Sequence, residues 1–396
     1  MKRTYLDWAS TSPMDPAILD DFSRAQIELL GNPSSIHTEG KRAWKRLESA
    51  RNSLSSCLGI NSRNVIFTSG GSEANSLIFL SLLRKNRRGR VLISSIEHPS
   101  VYEYASLLGE AGFDVREIPA DSGGFIRPVS VANLLNEDTR LVSVMTVNNE
   151  TGAVQAIKNI GRKIREFEKQ HSTSIHFHTD AVQALGKIDL DLEEMRVDSA
   201  SFSAHKISGP KGTGMLYLAS PLQTAVVGGG QEAGYRPGTE NVPSIAAFSQ
   251  AAERRFSDFQ ETSLRVMDIK QRVLKRLENM DSVSPFPAGL SSVYNIEDYS
   301  PYILSFTVAP LPGEVLVRVL DDRGFAVSTG SACSSRKKKK RGRVLKAMGV
   351  SDADAAGAVR VSFGWSTTEE EADSLCSTLE RELPALLKTV RPRNKG

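Results

Sequence analysis

Up to Pro243, short apolar runs alternate with longer stretches in which apolar residues recur every three or four positions. The runs at 65–68, 90–94, 141–146, 175–179, 199–203 and 214–218 have strand length and predict buried strands. The stretches at 40–58, 73–83, 101–111 and 160–170 have helical spacing. Strands separated in this way by helices predict a mostly parallel sheet covered by helices, an α/β arrangement. After Pro243 the pattern changes. A charged, amphipathic stretch at 245–280 predicts one long helix leading into a second unit. Strand-like runs at 302–308, 326–328 and 359–363, with helical stretches at 314–323 and 367–390, make that unit α+β. The expected organisation is a large α/β domain over 15–255 and a small α+β domain made of 1–14 and 256–396.

Composition sharpens this picture only in places. The 396 residues are 40% hydrophobic and 24% charged, which suits a globular chain with one large and one smaller core. Fifty basic against 46 acidic residues leave a net charge of +4, so no nucleic-acid partner is expected. The local exception is RKKKKRGR at 336–343, which reads as a solvated surface run without the interleaved aromatics of a nucleic-acid site. Three widely spaced cysteines, Cys57, Cys333 and Cys376, form neither a disulfide framework nor a metal-binding spacing. No run reaches about 18 apolar residues, and MKRTYLDWAS lacks the apolar core of a signal peptide, so a soluble cytoplasmic protein without a membrane span is expected.

Several motifs carry chemistry. In SFSAHKISGPKGTG, at 201–214, a strand delivers Lys206 into a loop rich in glycine, where its amine is placed to anchor a carbonyl cofactor, with Ser203 and His205 beside it as phosphate donors. TSGGSEAN, at 68–75, follows a strand and opens a helix, an arrangement whose backbone N–H groups suit a phosphate. Asp180, in FHTDAVQALG, ends another strand, and a carboxylate there can hold a pyridinium nitrogen protonated, with Gln183 in reach of the same ring. His176 and His178 share a strand face and read as satisfied histidines rather than metal ligands. His98, in SIEHPSV, is placed to stack on a planar cofactor and move protons. Asn148, in VNNETG, offers a hydrogen-bonding amide, and Arg360, in RVSFG, a bidentate partner for a carboxylate. Cys333 lies among Ser, Thr and Gly in STGSACSSRKKKKRGR, where nearby positive charge favours the thiolate, whereas Cys57 and Cys376 fall in helical patterns and read as packed thiols.

These motifs, together with LDWASTSP, GNPSSIHTEG and GGGQEAGYRPGTEN, occur in an order that resembles the cysteine desulfurases of the NifS/IscS type, within the class V aminotransferase-like enzymes that use pyridoxal 5′-phosphate (PLP). The resemblance spans nearly the whole chain. It implies the PLP-dependent transferase fold, aspartate aminotransferase-like and of fold type I. It further implies that Lys206 anchors PLP and later acts as the base at the substrate's Cα. Asp180 would pair with the ring nitrogen, Gln183 with the phenolic oxygen, and His98 would stack on the ring. Gly71, Ser72, Ser203 and His205 would hold the phosphate, joined by Thr239 from a neighbouring subunit, which implies a homodimer. Asn148 and Arg360 would bind the carboxylate of L-cysteine, and Cys333 would take its sulfur as a persulfide, releasing L-alanine. A sulfur-acceptor protein, such as an iron–sulfur scaffold, or tRNA thiolation would be the destination. The resemblance departs after Cys333, where the family's long loop carries a Leu-Glu-Pro-type segment and this chain has RKKKKRGR. Selenocysteine lyase and class V aminotransferase are the alternative reactions, and Cys333 speaks against the second. A non-catalytic scaffold is disfavoured because lysine, aspartate, histidine, arginine and cysteine are all present together.

Overall fold

The computed structural model describes residues 3–84, 88–290, 292–330 and 342–390. Cys333 and the basic residues 336–341 lie outside the described residues. The chain begins with β1 (Thr4–Tyr5), α1 (Pro16–Glu28) and α2 (Thr38–Cys57). Next come β2 (Val65–Thr68), α3 (Gly71–Ser81), β3 (Arg90–Ser94), α4 (Pro99–Glu110), β4 (Asp114–Ile118), α5 (Pro128–Leu134) and β5 (Thr139–Ser143). The stretch continues through α6 (Ile157–His171), β6 (His176–Asp180), β7 (Ser199–Ser203) and β8 (Gly214–Leu218). Strands β2 to β8 make a seven-stranded sheet in the order β2-β8-β7-β6-β5-β3-β4. β8 runs antiparallel to both neighbours and every other pairing is parallel. Helices on both faces bury β5, β7 and β8, as a mostly parallel sheet requires.

The remaining elements are α7 (Val242–Ser257), α8 (Phe259–Glu278), β9 (Ser284–Phe286), β10 (Ile303–Thr307), α9 (Gly313–Asp322), β11 (Phe325–Ala326), β12 (Ser328–Thr329), α10 (Arg343–Ala347), α11 (Asp352–Ala356), β13 (Ala358–Ser362) and α12 (Glu369–Val390). An antiparallel sheet of order β12-β13-β10-β9 packs with α8 and α12 around Val266, Val273, Phe306, Val361 and Leu379.

Three sequence expectations are corrected. The long helix expected at 245–280 is two helices that break at Asp258. The apolar face of α7 joins the core of the large sheet through Phe248 and Ala251, and that of α8 joins the small sheet through Val266 and Val273, so a break lets each face meet its own core. The strand expected at 141–146 ends at Ser143, because the Met145 N–H donates to the Glu97 carboxylate at 2.8 Å instead of to a neighbouring strand. β4 has no counterpart in the expected strands. It is a half-polar edge strand whose Asp114 pairs with Arg90 and Arg116, and edge strands carry such charge in place of an apolar run.

Residues 4–12 tie the two sheets together. β1 pairs with β11, Ala9 N donates to Ser362 Oγ at 2.9 Å, and Ser12 N donates to the His205 carbonyl at 2.8 Å.

Candidate active site

A cavity of about 580 Å³ opens at the carboxyl ends of the parallel strands, where open α/β sheets place their ligands. Lys206 follows β7 in a single 3-10 turn and is half-buried in the wall. Its Nζ donates to the carbonyls of Ala9 and Ser10, each at 2.7 Å. Asp180, the last residue of β6, accepts from Val182 N at 3.0 Å and from Asn75 Nδ2 at 2.8 Å. Gln183 donates from Nε2 to the Ala9 carbonyl at 2.8 Å. His98 is the N-cap of α4, with Nδ1 accepting from Ser100 N at 3.1 Å. Burial holds its imidazole below the usual range, Asp180 opposes that shift, and Lys206 and Arg343 add to it.

The wall formed by the start of α3 is built for an anion. α3 starts at Gly71 without a side chain capping its first N–H groups. Its N-cap is Gly70, in a backbone conformation (φ 152°) that only glycine adopts readily, and Ser72 sits one step inside the helix. A Cβ at Gly71 would run into Val182, so the backbone must be bare there. Ser203 and His205 line the same cavity, and Ser203 Oγ lies 3.7 Å from where a Cβ at Gly70 would stand. Burial, followed by Lys206, pushes His205 down to about 3, so the ring is neutral. Uncapped N–H groups, a hydroxyl, a neutral imidazole, Lys206 and the Asp180 carboxylate on one cavity together fit a phosphorylated aromatic aldehyde.

Arg360, on β13, is 4% exposed and reaches in from the small sheet. It donates to the Asn149 carbonyl at 2.7 Å, Ser10 Oγ at 2.7 Å and Asp7 Oδ1 at 3.0 Å. Its Nε is buried without a hydrogen-bond partner among the described residues.

The structure brings Lys206, Asp180, Gln183, His98, Gly71, Ser72, Ser203, His205 and Arg360 onto one cavity. Asn148 is not among its lining. It is fully buried, and its Oδ1 accepts from Glu150 N, Thr151 N and Thr151 Oγ1 at 2.9, 2.9 and 3.1 Å, which consumes the amide in closing a turn. The neighbouring Asn149 faces the cavity instead. Thr239 is exposed and lies off this cavity. Arg343, the end of the run expected to be solvated, lines the cavity, with its guanidinium 4.4 Å from the Tyr102 ring and a hydrogen bond to the Ser95 carbonyl.

Sequence reasoning passed over three further groups. Lys187 is buried, donates to Gln183 Oε1 at 3.0 Å, and is held down to about 7 by burial, then by Lys206 and Arg360. Glu97 and Glu150 line the cavity, and burial pushes them up to about 8 and about 7. One oxygen of each, Oε2, has no partner among the described residues. Glu97 and Glu150 lie inside the quoted motifs and Lys187 directly follows one, but a charge that folding will bury looks in sequence like one on the surface. Cys57 and Cys376 are pushed up to about 11 by burial, consistent with packed thiols.

Fold and site define a PLP-dependent enzyme, and the family model for Aminotransferase class-V matches residues 4–375. A NifS/IcsS protein homolog of Lactobacillus delbrueckii subsp. bulgaricus is 39% identical, the alignment covering 95% of this chain and 96% of that one. Cysteine desulfurase IscS of Clostridium botulinum is 33% identical, over 98% of this chain and 96% of its own. A solved structure of a NifS-like protein matches with a TM-score of 0.88 at 33% identity, covering 97% of this chain and all of its own. The chain belongs to the class-V aminotransferases and, within them, to the NifS/IscS cysteine desulfurases.

Proposed function

We propose that this protein takes the sulfur from L-cysteine, leaving it as a persulfide on Cys333 and releasing L-alanine. The observation that carries the reading is the convergence of Lys206, Asp180 and Arg360 on one cavity that Gly330 also lines. Cys333 is three residues beyond Gly330, a contour length of about 10 Å.

PLP, when bound, supplies an electron sink for the substrate's Cα. Lys206 would hold it, Asp180 would pair with its ring nitrogen, and Gln183 would donate to its phenolic oxygen. The first N–H groups of α3, with Ser203 and His205, would receive its phosphate. Arg360 binds the substrate carboxylate, and Asn149 takes the place beside it first assigned to Asn148. Lys206 removes the proton from Cα, and the imidazole of His98 lies beside it for further proton movement. The Cys333 thiolate attacks the substrate sulfur, forming an S–S bond. The electron pair of the broken Cβ–S bond goes to carbon, which takes a proton to become the methyl group of alanine. The other two thiols, pushed up to about 11, hold too little thiolate at neutral pH to compete.

A homodimer fits the exposed surface. Ile27, Leu30, Ile36 and Val227 are 75%, 78%, 89% and 76% exposed, a set of apolar side chains that water disfavours. Thr239, off its own cavity, is then available to a partner's phosphate site. A sulfur-acceptor protein such as an iron–sulfur scaffold would receive the persulfide sulfur, and a cytoplasmic setting suits that role. No helix among the described residues is long and apolar enough to cross a membrane.

The test is release of sulfide and alanine from L-cysteine in the presence of a reductant, by the PLP-loaded protein and by Cys333→Ala. Both products from the wild type, with a variant that keeps its visible absorption but yields no sulfide, support the reading. A wild type that binds PLP and yields neither product overturns it.

A further inference from the structure

Behind the cavity, Asn75, His176, His178 and Ser199, which do not line it, form one hydrogen-bonded chain with Asp180, Ser100 and His98, which do. Asn75, in α3, is fully buried. Its Nδ2 lies 2.8 Å from Asp180 Oδ2 and 2.9 Å from Ser100 Oγ, and its Oδ1 lies 2.9 Å from His178 Nε2. His178 Nδ1 lies 2.8 Å from Ser199 Oγ, which is itself 2.7 Å from His176 Nε2. On the other side, Ser100 Oγ lies 2.8 Å from His98 Nδ1.

One set of proton positions satisfies every contact. Both oxygens of the Asp180 carboxylate accept, so the nitrogen of the Asn75 amide faces Asp180 and its oxygen faces His178. A carbonyl only accepts, so His178 carries its proton on Nε2. Burial, the larger cause, and the nearby His176 push that ring down to about 3, which keeps it neutral and leaves Nδ1 bare. The Ser199 hydroxyl therefore donates to Nδ1 and accepts from His176. In the other direction, Ser100 Oγ accepts from Asn75 and sends its own proton to His98 Nδ1, which also accepts from Ser100 N. His98 is left with its proton on Nε2, the nitrogen away from the α4 cap.

We propose that Asn75 is a positioning residue for the reaction, a single buried amide that orients the Asp180 carboxylate and fixes the His98 tautomer together. This rests on the assignment of Asp180 to the ring nitrogen and of His98 to the ring. An apolar side chain of similar size at 75 leaves Asp180 Oδ2 and Ser100 Oγ without their donor and His178 without its acceptor. Arg360 and Asn149 touch none of these groups, so substrate capture is untouched.

The first measurement is nitrogen NMR of the cofactor-free protein labelled at its six histidines. His98 and His178 are both expected as Nε2–H tautomers, and an Nδ1–H tautomer at either overturns the proposal. The second compares Asn75→Leu, Ser199→Ala and Asp180→Asn. Asn75→Leu is expected to lower kcat by about ten- to a hundredfold and to weaken PLP binding about tenfold, with KM for cysteine within about threefold of wild type. Ser199→Ala, an equally buried change that leaves Asn75 and Asp180 in contact, is expected to stay within about threefold in both. A crippled Asp180→Asn beside a near-wild-type Asn75→Leu overturns the positioning role and keeps the site assignment. An Asp180→Asn that binds PLP and turns over normally overturns that assignment and the proposal with it.

Discussion

Lys187 donates to Gln183 at 3.0 Å from a position buried behind the cavity wall. Because an amine donates whether or not it is protonated, the oxygen of the Gln183 amide is fixed toward Lys187. The nitrogen faces Ala9, leaving its second N–H for the contact with the phenolic oxygen proposed above. Lys187→Met is expected to weaken PLP binding about tenfold, measured by absorbance at equilibrium. The folded-state value, about 7, lies below the ordinary 10.5, so burial costs stability as pH falls below 10.5 and does so fully below about 7. The methionine variant carries no such cost, and without cofactor it is expected to be no less stable than wild type at about pH 6. A large loss of stability there contradicts this account.

The two asparagines of VNNETG separate structure from binding. Asn148→Ala removes the acceptor of three hydrogen bonds in the turn and is expected to lower stability by about 2–4 kcal/mol in urea unfolding. Asn149→Ala keeps the carbonyl that holds Arg360 and is expected to raise KM for cysteine about tenfold at nearly unchanged stability. The reverse pattern returns the substrate contact to Asn148.

Glu150 has the opposite sign to Lys187. Its folded-state value, about 7, lies above the ordinary 4.5, so the folded protein keeps a proton that the unfolded chain releases. Stability is intact below about pH 4.5 and is lost as pH rises through about 7. Glu150→Gln, with no charge to bury, is expected to exceed wild type by on the order of 1–3 kcal/mol at about pH 8.5 and to equal it at about pH 4.5. Urea unfolding of the cofactor-free protein at the two pH values checks this. A difference independent of pH sinks it.

The strands at 65–68, 90–94, 199–203 and 214–218 coincide with those of the structure, because buried strands read as short runs of apolar and small residues. The edge strand Asp114–Ile118 escaped for the converse reason. Lys206, Asp180 and Arg360 were legible as cavity residues because each stands in a distinctive motif, Asp180 ending β6, Lys206 in the turn after β7 and Arg360 within β13. Asn148 and Asn149 could not be told apart, since the same residue twice in succession gives no clue to which amide closes the turn. Asn75 and His178 were in view without their roles, which depend on contacts between residues 103 and 105 positions apart. Arg343 was hidden by its basic neighbours, which made a cavity residue look like part of a surface run.

Ser10 and Arg360 share a hydrogen bond across 350 positions of chain, and Lys206 Nζ donates to the carbonyls of Ala9 and Ser10. During translation Lys206 therefore leaves the ribosome more than a hundred residues before Arg360, the guanidinium proposed to hold the substrate carboxylate. With the roles proposed above, a chain that stops before β13 keeps the lysine proposed as anchor and lacks the guanidinium proposed to hold the carboxylate.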